Sequence, residues 1–182
     1  MGEIHVNIYS TLDGVIESNG GPDEDSTSGF EYGGWQTPFW DEQSGHQVTA
    51  DVKESDALLL GRRTYDIFRK AWPSATDEIG QVLNTVPKYV VSRSDPELSW
   101  SGTTHLRDAT EVAAVREKHR VVHTWGSSVL FQDLLGCAWS TGSTCGSTRS
   151  CSARGRNCSA TQPRRPTSDC SSRPSRFLPA PF

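Results

Sequence analysis

Cysteine is missing from the first 136 residues and lysine from everything after Gly136; five cysteines and seven arginines lie beyond that glycine. An odd number of cysteines with no C-x-x-C pair excludes a zinc knuckle and a closed disulfide framework. No apolar run approaches the ~20 residues that a membrane helix needs. The N-terminus "MGEIHVNIYS" lacks the basic-then-apolar order of a signal peptide, so the expectation is a soluble, cytoplasmic protein. No internal repeat is present. The glycine fingerprint G-x-G-x-x-G is absent as well, which removes the usual support for a Rossmann dinucleotide site.

What is present divides at the same glycine. Residues 1–136 carry eleven basic and twenty-one acidic side chains, whereas 137–182 carry seven arginines against Asp169 alone. An acidic body argues against nucleic acid as a partner, because phosphate neutralisation needs a basic surface. The predicted organisation is one domain over 1–136, followed by a Ser/Arg/Cys/Pro-rich segment over 137–182 that is expected to be disordered.

Along the body, Ile4, Val6 and Ile8 alternate with Glu3, His5 and Asn7, the period of a strand with two unlike faces. Asp13-Gly14 is turn chemistry, and Ser18 to Gly29 is too rich in Gly, Asp and Ser for a regular element. "FEYGGWQTPFWDE" is aromatic but aperiodic. It reads equally as a cover over a core edge or as a ligand-facing loop. From His46 onward, helices over "HQVTADVKES", "RRTYDIFRKAW", "DEIGQVLN", "DATEVAAVREKH" and "SSVLFQDLLG" alternate with strands "ALLL", "KYVVS" and "RVVHTW". The last helix is expected to close at Gly136, and the one before it to open on an Asp cap. This alternation predicts an α/β layered sheet with several parallel strands.

In such sheets ligands gather beyond the carboxyl ends of the strands. Three strand ends carry Gly61-Arg62-Arg63-Thr64, Ser92-Arg93-Ser94 and Gly126-Ser127-Ser128. Glycine permits close approach of backbone N–H groups to an anion, and a helix start adds partial positive charge. Hydroxyls of Thr64, Ser92 and Ser127 are candidate donors; Arg62, Arg63 and Arg93 are candidate phosphate forks. Each motif alone also reads as an ordinary helix start with solvated arginines. Together they point to a ligand with more than one phosphate. Asp13 follows the first strand and is a candidate at the same sheet edge, with a plain turn role as its equal alternative. The five histidines show no ligand spacing, so no metal site is expected, and no catalytic residue stands out.

"STLDGVIES", "GFEYGGWQTPFWDE", "ALLLGRRTYDIF", "KYVVSRS" and "HTWGSSVLFQDLLG", in this order, resemble the dihydrofolate-reductase-like family, which includes the reductase domain of bacterial bifunctional riboflavin-biosynthesis deaminase-reductases. The resemblance implies a mixed β-sheet flanked by helices that binds NADPH and passes hydride to a small-molecule substrate of pyrimidine or pteridine type. The two options it implies are reduction of 5-amino-6-(5-phosphoribosylamino)uracil and a folate-type reduction. It places the pyrophosphate at Gly61 to Thr64 and Gly126 to Ser128 and the adenosine 2′-phosphate at Ser92 and Arg93; Asp13 at the sheet edge and Trp35 in the aromatic loop are the candidate substrate-binding residues. It also implies a homodimer as one possible assembly. A second glycine often follows the one matching Gly126 in this family; here Ser127 stands there.

Family members continue past the last helix with further strands, which 137–182 does not spell. Codons read from their third base convert TCN serine, cysteine and tryptophan to codons with a central T, all of which encode apolar residues. With permitted synonymous choices, Trp139 to Thr161 then reads LVDGLNVRVHPVVLGSGKELFGD, close to the family's continuation. The expectation is a frameshift near Gly136 to Ala138, which leaves the domain without its C-terminal strands. The alternatives are a working Arg/Ser-rich tail that binds nucleic acid or a partner, and an inactive or non-enzymatic NADPH-binding product.

Overall fold

Four successive side chains, Ala57 to Leu60, are fully buried. An apolar run without alternation fits a parallel strand covered by helices on both faces. The computed structural model describes residues 2–11, 13–21, 24 and 30–141, with side chains through 136, and builds the whole fold around that run. The order is β1 (Glu3–Asn7), α1 (Glu42–Glu54), β2 (Ala57–Gly61), α2 (Arg62–Ala71), α3 (Glu78–Thr85), β3 (Lys88–Val91), β4 (Thr103–Leu106), α4 (Val112–Lys118), β5 (Val121–Trp125) and α5 (Ser128–Thr141). The strands lie in the order β1-β5-β2-β3-β4, and every pairing is parallel.

Strand alternation divides the core in two. Ile4, Val6, Leu59, Val122 and Leu106 meet Val112 and Val115 of α4 and Leu130 and Leu134 of α5. Leu58, Leu60, Val90 and Trp125 meet Val52 of α1, Tyr65 of α2 and Leu83 of α3 on the other face. Asp41 starts α1 by accepting from Ser44 N at 2.8 Å, and Asp77 starts α3 by accepting from Gly80 N at 2.8 Å.

The expected α/β sheet with flanking helices is present. Three details differ from the sequence reading. Among the described residues the sheet is parallel throughout rather than mixed. β4 was not anticipated, because "TTHL" carries one fully buried side chain and sits at a sheet edge, where packing imposes little apolar pattern. Gly136 does not close α5, which continues to Thr141; Asp108 caps a 3-10 turn, Ala109–Glu111, that leads into α4. The segment 142–182, with its expected disorder, lies outside the described residues, as do the side chains of 137–141. No described helix is long and apolar enough to cross a membrane.

Candidate active site

With all strands parallel, their carboxyl ends share one edge, and a cleft of about 1130 Å³ opens there. Every residue expected to hold the phosphates, Gly61 to Thr64, Ser92, Arg93 and Gly126 to Ser128, lies on its wall.

The Gly126-Ser127 step joins two helix starts. Both residues occupy the left-handed region, with φ of 60° and 56°. Gly126 N donates to Asn7 O of β1 at 2.9 Å, tying the turn to the sheet. Ser127 N donates to Thr64 Oγ1 at 3.2 Å, and Ser127 Oγ accepts from Gly61 N at 2.9 Å while donating to Trp125 O at 3.2 Å. A Cβ on Gly126 would meet Thr64 Oγ1 at 3.4 Å and would be strained by the backbone in any case. The first turns of α2 and α5 are thereby held on one cleft, where their N–H groups lack intrahelical partners and favour an anion. α2 begins at Gly61 with no side-chain cap; the Thr64 hydroxyl serves Ser127 instead.

Two of the three hydroxyls expected to donate to a ligand are already engaged as donors. Ser127 Oγ gives its proton to Trp125 O, and the buried Ser92 Oγ gives its own to Ser94 O at 2.6 Å. Both can still accept. The arginines also separate. Arg62 Nε is held at 2.6 Å by Asp66, and its Nη1 donates to Asp95 O at 3.1 Å. Burial works against the Asp66 carboxylate, but hydrogen bonds from Arg62 and Arg69 outweigh it and hold Asp66 below the usual carboxylate range. Arg63 lies 3.9 Å from Glu17. Arg93 is exposed, and among the described residues it has neither a hydrogen bond nor an ion pair.

Three cleft residues escaped the sequence reading. Arg107 follows the unanticipated β4 and pairs with Asp95 at 2.8 Å. Tyr9 and Trp125 form an aromatic wall with ring centroids 6.3 Å apart. Burial, with Asp51 adding to it, pushes the Tyr9 hydroxyl up to about 12, so it stays protonated. Trp125 Nε1 is buried without a partner. Strand position was the available signal for both: each sits at or just past a strand's carboxyl end. The structure does not bring Asp13 or Trp35 to the cleft wall. Asp13 accepts from Thr11 Oγ1 at 2.8 Å in a turn closed by Gly14 N to Thr11 O at 3.0 Å, with Gly14 at φ 84°. Trp35 Nε1 donates to Glu17 O at 2.9 Å and so holds a loop that lines the cleft without lining it itself.

Parallel strands with two helix starts and an arginine-bearing strand end on one cleft define an α/β fold with its candidate site at the carboxyl edge of the sheet. Within that class the chain belongs to the RibD C-terminal domain family, whose model matches residues 3–135. Similar solved structures include dihydrofolate reductase from Enterococcus faecalis complexed with NADP(H) and RAB-propyl, at 17% identity and a TM-score of 0.47, covering 75% of this chain and 66% of that one. Another is a Shewanella sp. PV-4 protein assigned to riboflavin biosynthesis, at 18% identity and a TM-score of 0.45, covering 74% of this chain and 70% of that one. This chain therefore spans just under two thirds of the enterococcal reductase. No curated protein matches it.

Proposed function

We propose that the chain is an NADPH-dependent reductase of a pyrimidine or pteridine-type substrate. Reduction of 5-amino-6-(5-phosphoribosylamino)uracil and folate-type reduction are the two candidates. The observation that carries the reading is the union of two helix starts with an unengaged arginine on one cleft. The residues fit the cofactor. The first turns of α2 and α5 meet the pyrophosphate, and Arg93 meets the 2′-phosphate, with Ser92 Oγ free only as an acceptor. Bound NADPH supplies the hydride. Tyr9 and Trp125 offer apolar faces to flat rings.

The test is to titrate the chain with NADPH and with NADH, alongside Arg93→Ala. A charge-assisted hydrogen bond is worth about 1.5–3 kcal/mol, so the variant should bind NADPH roughly 10–100-fold more weakly and NADH almost unchanged. Equal losses for both cofactors would remove the 2′-phosphate assignment. Oxidation of NADPH with a ribosylaminopyrimidine or a dihydropteridine then names the substrate class, whereas binding without oxidation by either returns the non-enzymatic reading.

A further inference from the structure

The β1–β5 register sets His5 directly opposite His123. Both imidazoles project to the face that α1 covers, and their ring centroids are 4.9 Å apart. Glu54, the last residue of α1, brings a carboxylate to the same point. One ligand atom from each of the three lies within 4.8 Å of the others. His123 is 1% exposed; its Nδ1 is 3.1 Å from Asn7 Nδ2, and its Nε2 is buried with no partner. A buried ring nitrogen without a partner, beside a second imidazole and a carboxylate, calls for a ligand.

We propose that His5, Glu54 and His123 bind a divalent transition cation of the zinc type. Two imidazoles and a carboxylate suit zinc, cobalt or nickel, whereas calcium and magnesium take oxygen shells. Ligand atoms around tetrahedral zinc stand about 3.3 Å apart, given metal–ligand lengths near 2.0–2.1 Å. The 4.8 Å spread closes from the mobile side, since the Glu54 side chain is exposed and His5 need only leave Glu3, now 3.2 Å away. The buried His123 ring is the fixed member. For Nε2 to ligate, Nδ1 must carry the proton, and the Asn7 amide, whose Nδ2 now lies 3.1 Å from Nδ1, must turn over so that its oxygen accepts it. Asn7 is thus a positioning residue for the ligand ring. Glu3 and Glu54 also line a groove of about 470 Å³ beside the site. The sequence hid this site because strand register, not ligand spacing, brings the two histidines together.

The experiment uses the full chain with Cys137, Cys145, Cys151, Cys158 and Cys170 replaced by serine, stripped with chelator and titrated with cobalt chloride, then zinc chloride. The expected result is one cobalt per chain with the visible bands of four-coordinate geometry, displaced by zinc, and a thermal midpoint that rises with zinc. His5→Ala and Glu54→Gln should each weaken binding about tenfold or more. NADPH binding should be unaffected, because neither residue lines the cleft. Affinity unchanged in both variants, or no cobalt bound by the parent, would overturn the proposal.

Discussion

At residue scale, Ser127 occupies a position that favours glycine, and its hydroxyl compensates. A left-handed backbone costs a non-glycine residue roughly 1–2 kcal/mol, and Ser127 sits at φ 56°. Against that, its Oγ satisfies Gly61 N and joins the β2–α2 turn to the β5–α5 turn. Ser127→Ala keeps the backbone strain and leaves Gly61 N without its partner, so a loss of about 1–3 kcal/mol is expected. Ser127→Gly loses the same bond but relaxes the backbone, and should stay within about 1 kcal/mol of the parent. Urea unfolding midpoints should therefore place the Gly variant above the Ala variant, the reverse of the usual helix-interior order. Alanine equal to or above glycine would mean that Ser127 is not left-handed in solution. The sequence showed that a serine replaced a frequent family glycine. It did not show that the serine's oxygen had taken on a second task, because that bond spans from Gly61 to Ser127.

At the scale of elements, legibility followed burial. β2, β3 and β5 announced themselves because both of their faces are covered, and "ALLL", "KYVV" and "VVHTW" have few polar side chains. β4 did not, and its loss also concealed Arg107 at the strand's end. Lys88 shows the same limit. In sequence it is only the charged first residue of "KYVVS", yet it is 1% exposed and ties three elements together. Its Nζ donates to Asn84 O at 3.0 Å and Val86 O at 2.9 Å at the end of α3, and to Ser101 O at 3.1 Å before β4. It also lies 4.8 Å from the centroid of the Trp100 ring. Burial pulls the ammonium down to about 8. Between that value and the ordinary 10.5 the unfolded chain holds the proton that the folded chain has released, so stability rises with pH across this window and the gain is lost as pH falls through about 8. Lys88→Met isolates the effect from other titrating groups. It should be less stable at pH 7 by roughly 1–3 kcal/mol through orphaned carbonyls. The gap to the parent should then widen between pH 8 and 10, by up to ~1.4 kcal/mol per unit. A gap that stays constant would show that the three carbonyls and the indole offset the desolvation.

At the scale of the molecule, β1 forms one edge of the described sheet. Among the described residues β1 has β5 as its one neighbour. Its outer edge leaves backbone groups open to pairing, a hazard that native proteins cover or charge. The family resemblance implies that further strands pair beside β1. The family match ends at residue 135, next to the point where lysine gives way to arginine and cysteine appears. We propose that a frame change near Gly136 to Ala138 removed those strands. This follows from the apolar pattern hidden in the shifted codons, and the gene sequence checks it directly: a second frame without the missing strands would end the idea. Its physical consequence is separately measurable. Net stabilities of domains are only about 5–15 kcal/mol, so losing the strands that cover one sheet edge is enough to decide folding. The chain with its present tail should unfold at a lower midpoint and aggregate more readily than a frame-restored chain. The frame-restored chain should unfold cooperatively, with a midpoint that rises with NADPH as binding to the folded state requires. If the present chain unfolds at the same midpoint as the frame-restored one, raised equally by NADPH and accompanied by turnover, then residues 1–136 suffice and β1 needs no further neighbour.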